Sequence, residues 1–246
     1  MRTWILLLAA ACVAGAADFN EVVLQQVRSM PQGGGYATTR HAHDVLQSAV
    51  RFEEESVRIR ADKAEPSYCS GATYLVFLKS LGELQRRGVL SISRGQWERL
   101  LPLKLPDGEG VWGRWNANGP GTPRLFYELG LGRNFTAFEE AKPGDFLKIF
   151  WTDAVGKNER GHSVVFLGLE TKDGVGSVRF WSSNQPGGYG EKVVARSKIA
   201  RAIFSRLESP QSLSRLAQLP ERDAYLASLL SRSSSFAEAG RMCGIR

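Results

Sequence analysis

Cysteine is scarce in this chain of 246 residues, occurring only at positions 12, 69 and 243. So few thiols exclude a disulfide-built secreted domain, which would carry several of them in pairs. Histidine is equally scarce, at 41, 43 and 162. Two residues apart on a helix, His41 and His43 would point to nearly opposite faces, which disfavours a shared metal. They read as surface or packing residues, and no metal or organic cofactor is expected. Beyond the first residues there is no long apolar run, so no later segment is expected to cross a membrane. The usual nucleic-acid-binding modules are missing as well. The basic residues behind the formal net charge of +7 are scattered rather than massed, and no nucleic-acid partner is expected.

What is present begins with an address. Met1-Arg2-Thr3 is a short positive start, Trp4 to Val13 is apolar, and Ala14-Gly15-Ala16 supplies small residues for cleavage. That is the layout of a secretory signal peptide, residues 1–16, with a core too short to span a bilayer. The mature protein is expected to begin near Ala17 or Asp18 and to be exported, to the periplasm or the cell exterior, where a basic monomer meets anionic surfaces such as wall polymers. Cys12 offers a second reading, as the lipid-bearing first residue of a lipoprotein, the one case in which a membrane enters. Against it, Ala9 stands where such signals usually have Leu. After cleavage at Ala16, Cys69 and Cys243 remain. Cys243 lies in a stretch rich in Ser, Gly and Ala that reads as a mobile tail, so a bridge between the two is disfavoured and Cys69 is expected to be a free thiol.

Apolar residues make up 43% of the chain, enough for a real core. Helical spacing runs from Phe19 to Met30, and Pro31-Gln32-Gly33-Gly34-Gly35 breaks it. Thr38 or Thr39 is expected to cap a long helix reaching about Ile59, with Glu53-Glu54-Glu55 on its solvated side. Ser67 is the expected N-cap of an apolar helix that Gly88 stops. Ser93 with Gln96 forms a capping box before Trp97 to Leu101. Pro102 to Pro123 reads as a long loop carrying Trp112 and Trp115, and Leu125 to Leu129 as a brief helix. Strands follow at 146–151, 163–168, 175–181 and 192–195, the middle two joined as a hairpin through Lys172-Asp173-Gly174. Helical periodicity returns at 199–207 and 213–230. The layout is α+β with one antiparallel sheet. The expected divisions are an N-terminal helical segment 17–62, a central domain 63–207 and a C-terminal helical extension 208–246.

The chemistry centres on Pro66-Ser67-Tyr68-Cys69-Ser70-Gly71-Ala72-Thr73. A thiol in the first turn of a helix sits by free backbone N–H groups and the positive end of the dipole, both of which favour thiolate. Its own N–H is then available to a developing oxyanion, and the small Ser70 and Gly71 would let a substrate backbone come close. A base is needed, and His162 stands at the start of a buried-looking strand. Asn184 follows the end of the next strand, and in a hairpin those two ends lie side by side. His162 and Asn184 are therefore expected to meet, Asn184 orienting the ring. Tyr68, Trp112 and Trp115 are candidates for the groove wall.

CSGAT at a helix start, KPGDFLKIFW, and GHSVVFLG in that order resemble the NlpC-like cell-wall peptidases and amidases of the papain-like superfamily, over roughly residues 68–184. The resemblance implies a papain-like (NlpC-type) fold, Cys69 as nucleophile, His162 as base and Asn184 as the polar third residue. The implied activity is an exported cysteine hydrolase cutting amide bonds, in peptidoglycan peptide stems. Two positions depart from the family pattern. Tyr68 replaces the usual Asp before the cysteine, which helps recognise a free amine, and Asn184 stands where His is frequent. A thiol protease or acyltransferase on the same scaffold, or a non-catalytic wall-binding module with Cys69 as a packing residue, are the alternatives.

Overall fold

The computed structural model describes residues 19–53, 56–172 and 174–245. The signal-peptide reading, Cys12, Glu54 and Glu55 lie outside the described residues. In chain order the elements are α1 (Phe19–Arg28), β1 (Gly33–Gly34), α2 (Arg40–Ser48), β2 (Val50–Glu53), β3 (Ser56–Ile59), α3 (Cys69–Arg86), α4 (Arg94–Leu100), α5 (Gly110–Trp115) and α6 (Gly121–Leu129). There follow β4 (Gly132–Phe135), β5 (Phe146–Phe150), β6 (Val155–Gly156), β7 (Gly161–Lys172), β8 (Val175–Asn184), β9 (Gly188–Ala195), β10 (Arg201–Leu207), α7 (Ala224–Ser228), β11 (Ser233–Ser234) and α8 (Phe236–Met242). The class is α+β. Seven strands form one antiparallel sheet in the order β1-β9-β8-β7-β5-β10-β4, and α3 packs across β7 and β8.

The sheet is buried on both faces. Phe146, Val165, Trp181 and Leu207 join the core beneath α3. Leu147, Ile149, Val164, Phe166, Phe180 and Phe204 form a second core on the far face. Double burial also shapes 199–207, where helical periodicity is expected. This stretch is not a helix but β10, paired with β5 on one side and β4 on the other. A strand covered on both faces loses the apolar–polar alternation that marks a strand in sequence.

A second correction concerns 38–59. Thr39 does cap a helix, accepting from the Ala42 N–H at 3.3 Å, but α2 ends at Ser48. Val50, Phe52, Val57 and Ile59 then alternate with charged residues, and this period of two wins as the hairpin β2–β3, with Val50 opposite Ile59 and Phe52 opposite Val57. The stretch 213–230 also divides. A 3-10 segment covers Pro210–Gln218, Pro220 interrupts, and only α7 is α-helical. The C-terminal stretch is no mobile tail, because α8 packs down with Cys243 buried, its thiol held in the protonated form by that burial.

Other local signals act as read. Gly88 follows α3 at φ +71°, and Ser93 with Gln96 makes the reciprocal capping box of α4. The turn Pro143-Gly144-Asp145 is an architectural device. Asp145 is fully buried, accepts both arms of Arg206 at 2.8 and 2.7 Å, and also takes the Asn20 amide at 2.8 Å. Gly144, at φ +95°, lies so close to Asn20 that a Cβ would meet its backbone. These contacts tie α1, the entry to β5, and β10 into one unit.

Candidate active site

Cys69 is the first helical residue of α3, not the second after a serine cap. Tyr68 occupies the cap position in extended conformation with no side-chain cap bond. Ser67 turns its hydroxyl to the Ser183 hydroxyl at 2.8 Å. That contact fixes the start of α3 against the end of β8, one residue from Asn184. The Cys69 N–H lies in the first helical turn, where no intrahelical carbonyl can accept it.

His162, the second residue of β7, faces Ile149 across the ladder with β5. Its Nε2 stands 3.1 Å from Oδ1 of Asn184, the last residue of β8. Asn184 cannot present its other end, because its Nδ2 donates to the carbonyls of Gly190 at 2.8 Å and Ser182 at 3.2 Å. The imidazole is stacked against Trp151 at 6.1 Å and meets the edge of Phe180 at 5.7 Å, so its plane is set by packing as well as by Asn184. With Nε2 engaged, Nδ1 is the nitrogen left for the thiol.

Cys69 is partly exposed. Burial opposes its ionisation, but the positive charge of His162, the hydrogen bond from that imidazole, the backbone N–H of Ser163 and the charge of Lys148 together lower its pKa from 9.0 to about 6. A substantial fraction is then thiolate near neutrality. Tyr36 lines the same cleft as Cys69. Burial first, then the Cys69 charge and a hydrogen bond to it, push the phenol up to about 12, so Tyr36 stays a donor. Its position comes from the Gly-rich turn: Gly35 and Tyr36 donate to the carbonyls of Gly187 and Pro186, and Ala37 to Ser67, threading the segment between the sheet edge and α3.

These groups open onto a cleft of about 510 Å³ lined among others by Tyr36, His43, Tyr68, Ser70, Lys148 and Glu159. Lys148 is buried and paired with Glu159 at 2.7 Å. Ser70 lies on the lining and donates to Asn116 Oδ1 at 2.6 Å. Tyr68 lines the cleft with its ring edge toward Trp112. His43 also faces it, tilted on Trp112 at 5.9 Å with a buried Nδ1 lacking a partner, and burial first, then Lys104, lower its pKa.

Three residues expected at the substrate are elsewhere. Trp112 and Trp115 are each 1% exposed and belong to the core. The stretch expected to be loop forms α5, and the three-residue spacing turns both indoles onto α3, where Trp115 stacks on Phe77 at 4.9 Å and donates to the Ser70 carbonyl. Gly71 also faces inward; a Cβ there would meet Leu46 at 3.2 Å and the Tyr68 ring at 3.4 Å, so its smallness serves packing rather than substrate approach.

Tyr36, Lys148, Trp151 and Glu159 were missed in sequence. For Lys148 a signal existed: Phe146, Lys148 and Phe150 share one face of an otherwise apolar strand, and an inward lysine demands a partner. Among the described residues, no group of three or more His, Cys, Asp or Glu is placed to hold a metal ion, and no helix is long and apolar enough to cross a membrane. No protein-family model, curated protein or solved structure matches the chain.

Proposed function

We propose that this protein is a cysteine hydrolase that cleaves amide bonds, with peptidoglycan peptide stems as substrate. The observation that carries the reading is the series of Cys69 at a helix start, His162 on the same cleft with its charge lowering the thiol pKa, and Asn184 Oδ1 at 3.1 Å from the His162 Nε2. A thiol kept only for packing would have its pKa raised, as burial does for Cys243. The papain-like, NlpC-type reading draws support from the same arrangement, in which a Cys-bearing central helix lies across the hairpin that carries the other two residues.

The Cys69 thiolate attacks the amide carbon, and the carbonyl electrons move to oxygen. The Cys69 N–H and the Tyr36 hydroxyl are the donors at hand for that oxyanion. Imidazolium at His162 gives its proton to the amide nitrogen, the C–N bond breaks, and the amine leaves a thioester on Cys69. Water then attacks the thioester, His162 takes its proton, and the carboxylate departs as the thiolate is restored. Asn184 keeps the ring aligned through both halves. Export, resting on the first residues, would bring the enzyme to its polymer.

Product analysis on purified murein tests the proposal. Wild type should release equal numbers of new amine and carboxyl ends, and Cys69→Ala none. If neither end appears with wild type, the hydrolase reading falls.

A further inference from the structure

Asp107 lines the same cleft as Cys69. Glu159, the other acid on that lining, is closed by Lys148. Asp107 forms no ion pair among the described residues, and its Oδ2 accepts from the Asn118 N–H at 2.8 Å, which leaves Oδ1 uncommitted. Burial shifts this carboxyl upward, against the pull of the Asn118 N–H and of Lys148, as expected for an anion short of compensating charge.

The position is built with care. Gly108 has φ +84°, and a Cβ on it would lie 2.6 Å from the Asp223 carbonyl. Arg114, wholly buried, donates to the carbonyls of Gly108 at 3.0 Å, Gly110 at 2.9 Å and Pro220 at 2.8 Å. The Asp223 N–H reaches the Gly108 carbonyl at 2.8 Å, and Gly110 donates to Glu221 at 2.9 Å. The C-terminal segment thus clamps the loop just after Asp107. It then continues through α7 to Leu230, which is 59% exposed and also lines the cleft. An open apolar side chain and an unpaired carboxylate in one cleft complement an aliphatic stem that ends in a cation.

We propose that Asp107, preceding the loop that the C-terminal segment clamps and sharing the cleft with Leu230, is a subsite for a protonated primary amine carried on an aliphatic stem of the substrate. This rests on the hydrolase reading only in taking the cleft as the substrate's. Calorimetry with Cys69→Ala protein decides it without turnover. The probes are N-acetylated pentapeptides carrying lysine at each position in turn, against norleucine at the same position. In one register lysine should bind about tenfold or more tighter than norleucine, the scale of a charge-assisted bond. Adding Asp107→Asn, which keeps an oxygen for the Asn118 N–H, should abolish that preference. Adding Leu230→Ser should weaken lysine and norleucine alike. Equal binding in every register, no binding of any probe, or a lysine preference that survives Asp107→Asn overturns the subsite. The same peptides given to wild type report separately on hydrolysis, so a lysine preference without cleavage would sink the hydrolase reading and leave the subsite standing.

Discussion

Glu159 is shared between two jobs: Oε1 pairs with Lys148 Nζ at 2.7 Å, while Oε2 accepts the N–H groups of Gly119 and Gly156 at 2.6 and 3.0 Å. One buried carboxylate thus joins β5, the loop before α6, and β6 beside the nucleophile. Removing one member of a buried pair leaves the other charge uncompensated, at about 3–5 kcal/mol. Glu159→Gln should therefore destabilise by that order in urea unfolding, and Lys148→Met in the same chain should return part of it. A double-mutant cycle without coupling would contradict the pairing. Lys148→Met alone also removes a cation that favours the thiolate, so the Cys69 pKa should rise.

The thiol itself supplies a pH test. Because its pKa is lowered to about 6, thiolate is lost only as pH falls through that value. Alkylation by iodoacetamide should rise through a midpoint near 6 and level off above it, whereas an ordinary thiol would still be gaining rate at about pH 8.5. His162→Ala removes the largest stabilising influence on the anion, so its midpoint should move up. A wild-type midpoint above pH 8 would refute the activated thiol.

Asn184 holds the imidazole through one oxygen while two carbonyls hold its amide. Asn184→Ala frees the ring to turn about the Trp151 face. Misalignment of a reacting group costs up to about 100-fold. The loss should appear in kcat on a peptide amide with KM little changed, since Asn184 acts through His162. A change confined to KM would assign Asn184 to substrate binding instead.

Trp112 and Trp115 are packing residues, and their substitutions should behave accordingly. Truncating a buried tryptophan costs about 3–5 kcal/mol. Trp115→Ala also removes the indole N–H that donates to the Ser70 carbonyl at 3.1 Å. Both alanine variants should lower the thermal midpoint, while any protein that stays folded keeps its preference among peptide substrates. A specificity change without a stability loss would return these side chains to a groove role.

The legible part of this site was local or one hairpin away. Cys69 at a helix start follows from turn chemistry and an apolar run, and His162 and Asn184 share a sheet end because two adjacent strands must turn back. The illegible part came from long-range packing. Nothing in Gly33-Gly34-Gly35-Tyr36 says that the sheet edge and α3 will pinch that segment until the phenol shares a cleft with a sulfur 33 positions away in sequence. Strand β10 hid because both its faces are covered, and the Val50–Ile59 hairpin because its apolar residues were matched to the longer period. Tryptophans in a Gly-rich stretch looked exposed until Arg114, buried at their centre, satisfied the loop's carbonyls.

Tyr36 gives the sharpest separation of chemistry from binding. Its hydroxyl is held protonated by burial and by the Cys69 charge, and it lines the same cleft as the reacting sulfur, so it is a donor on hand there. An oxyanion formed on the carbon attached to that sulfur comes within reach of the same hydroxyl. Donors of this kind act mainly in the transition state, and removing one costs about 100- to 1000-fold in kcat. Tyr36→Phe keeps the ring that packs against the core and the backbone bonds that thread the segment. Stability should therefore stay within about 1 kcal/mol of wild type, the net worth of one hydrogen bond. The expected signature is a fall in kcat on a peptide amide with KM unchanged, while Cys69 remains open to alkylation. If Tyr36→Phe retained full kcat, the oxyanion would have to rest on the Cys69 N–H and another donor, and the phenol would be no more than a lid over the thiol.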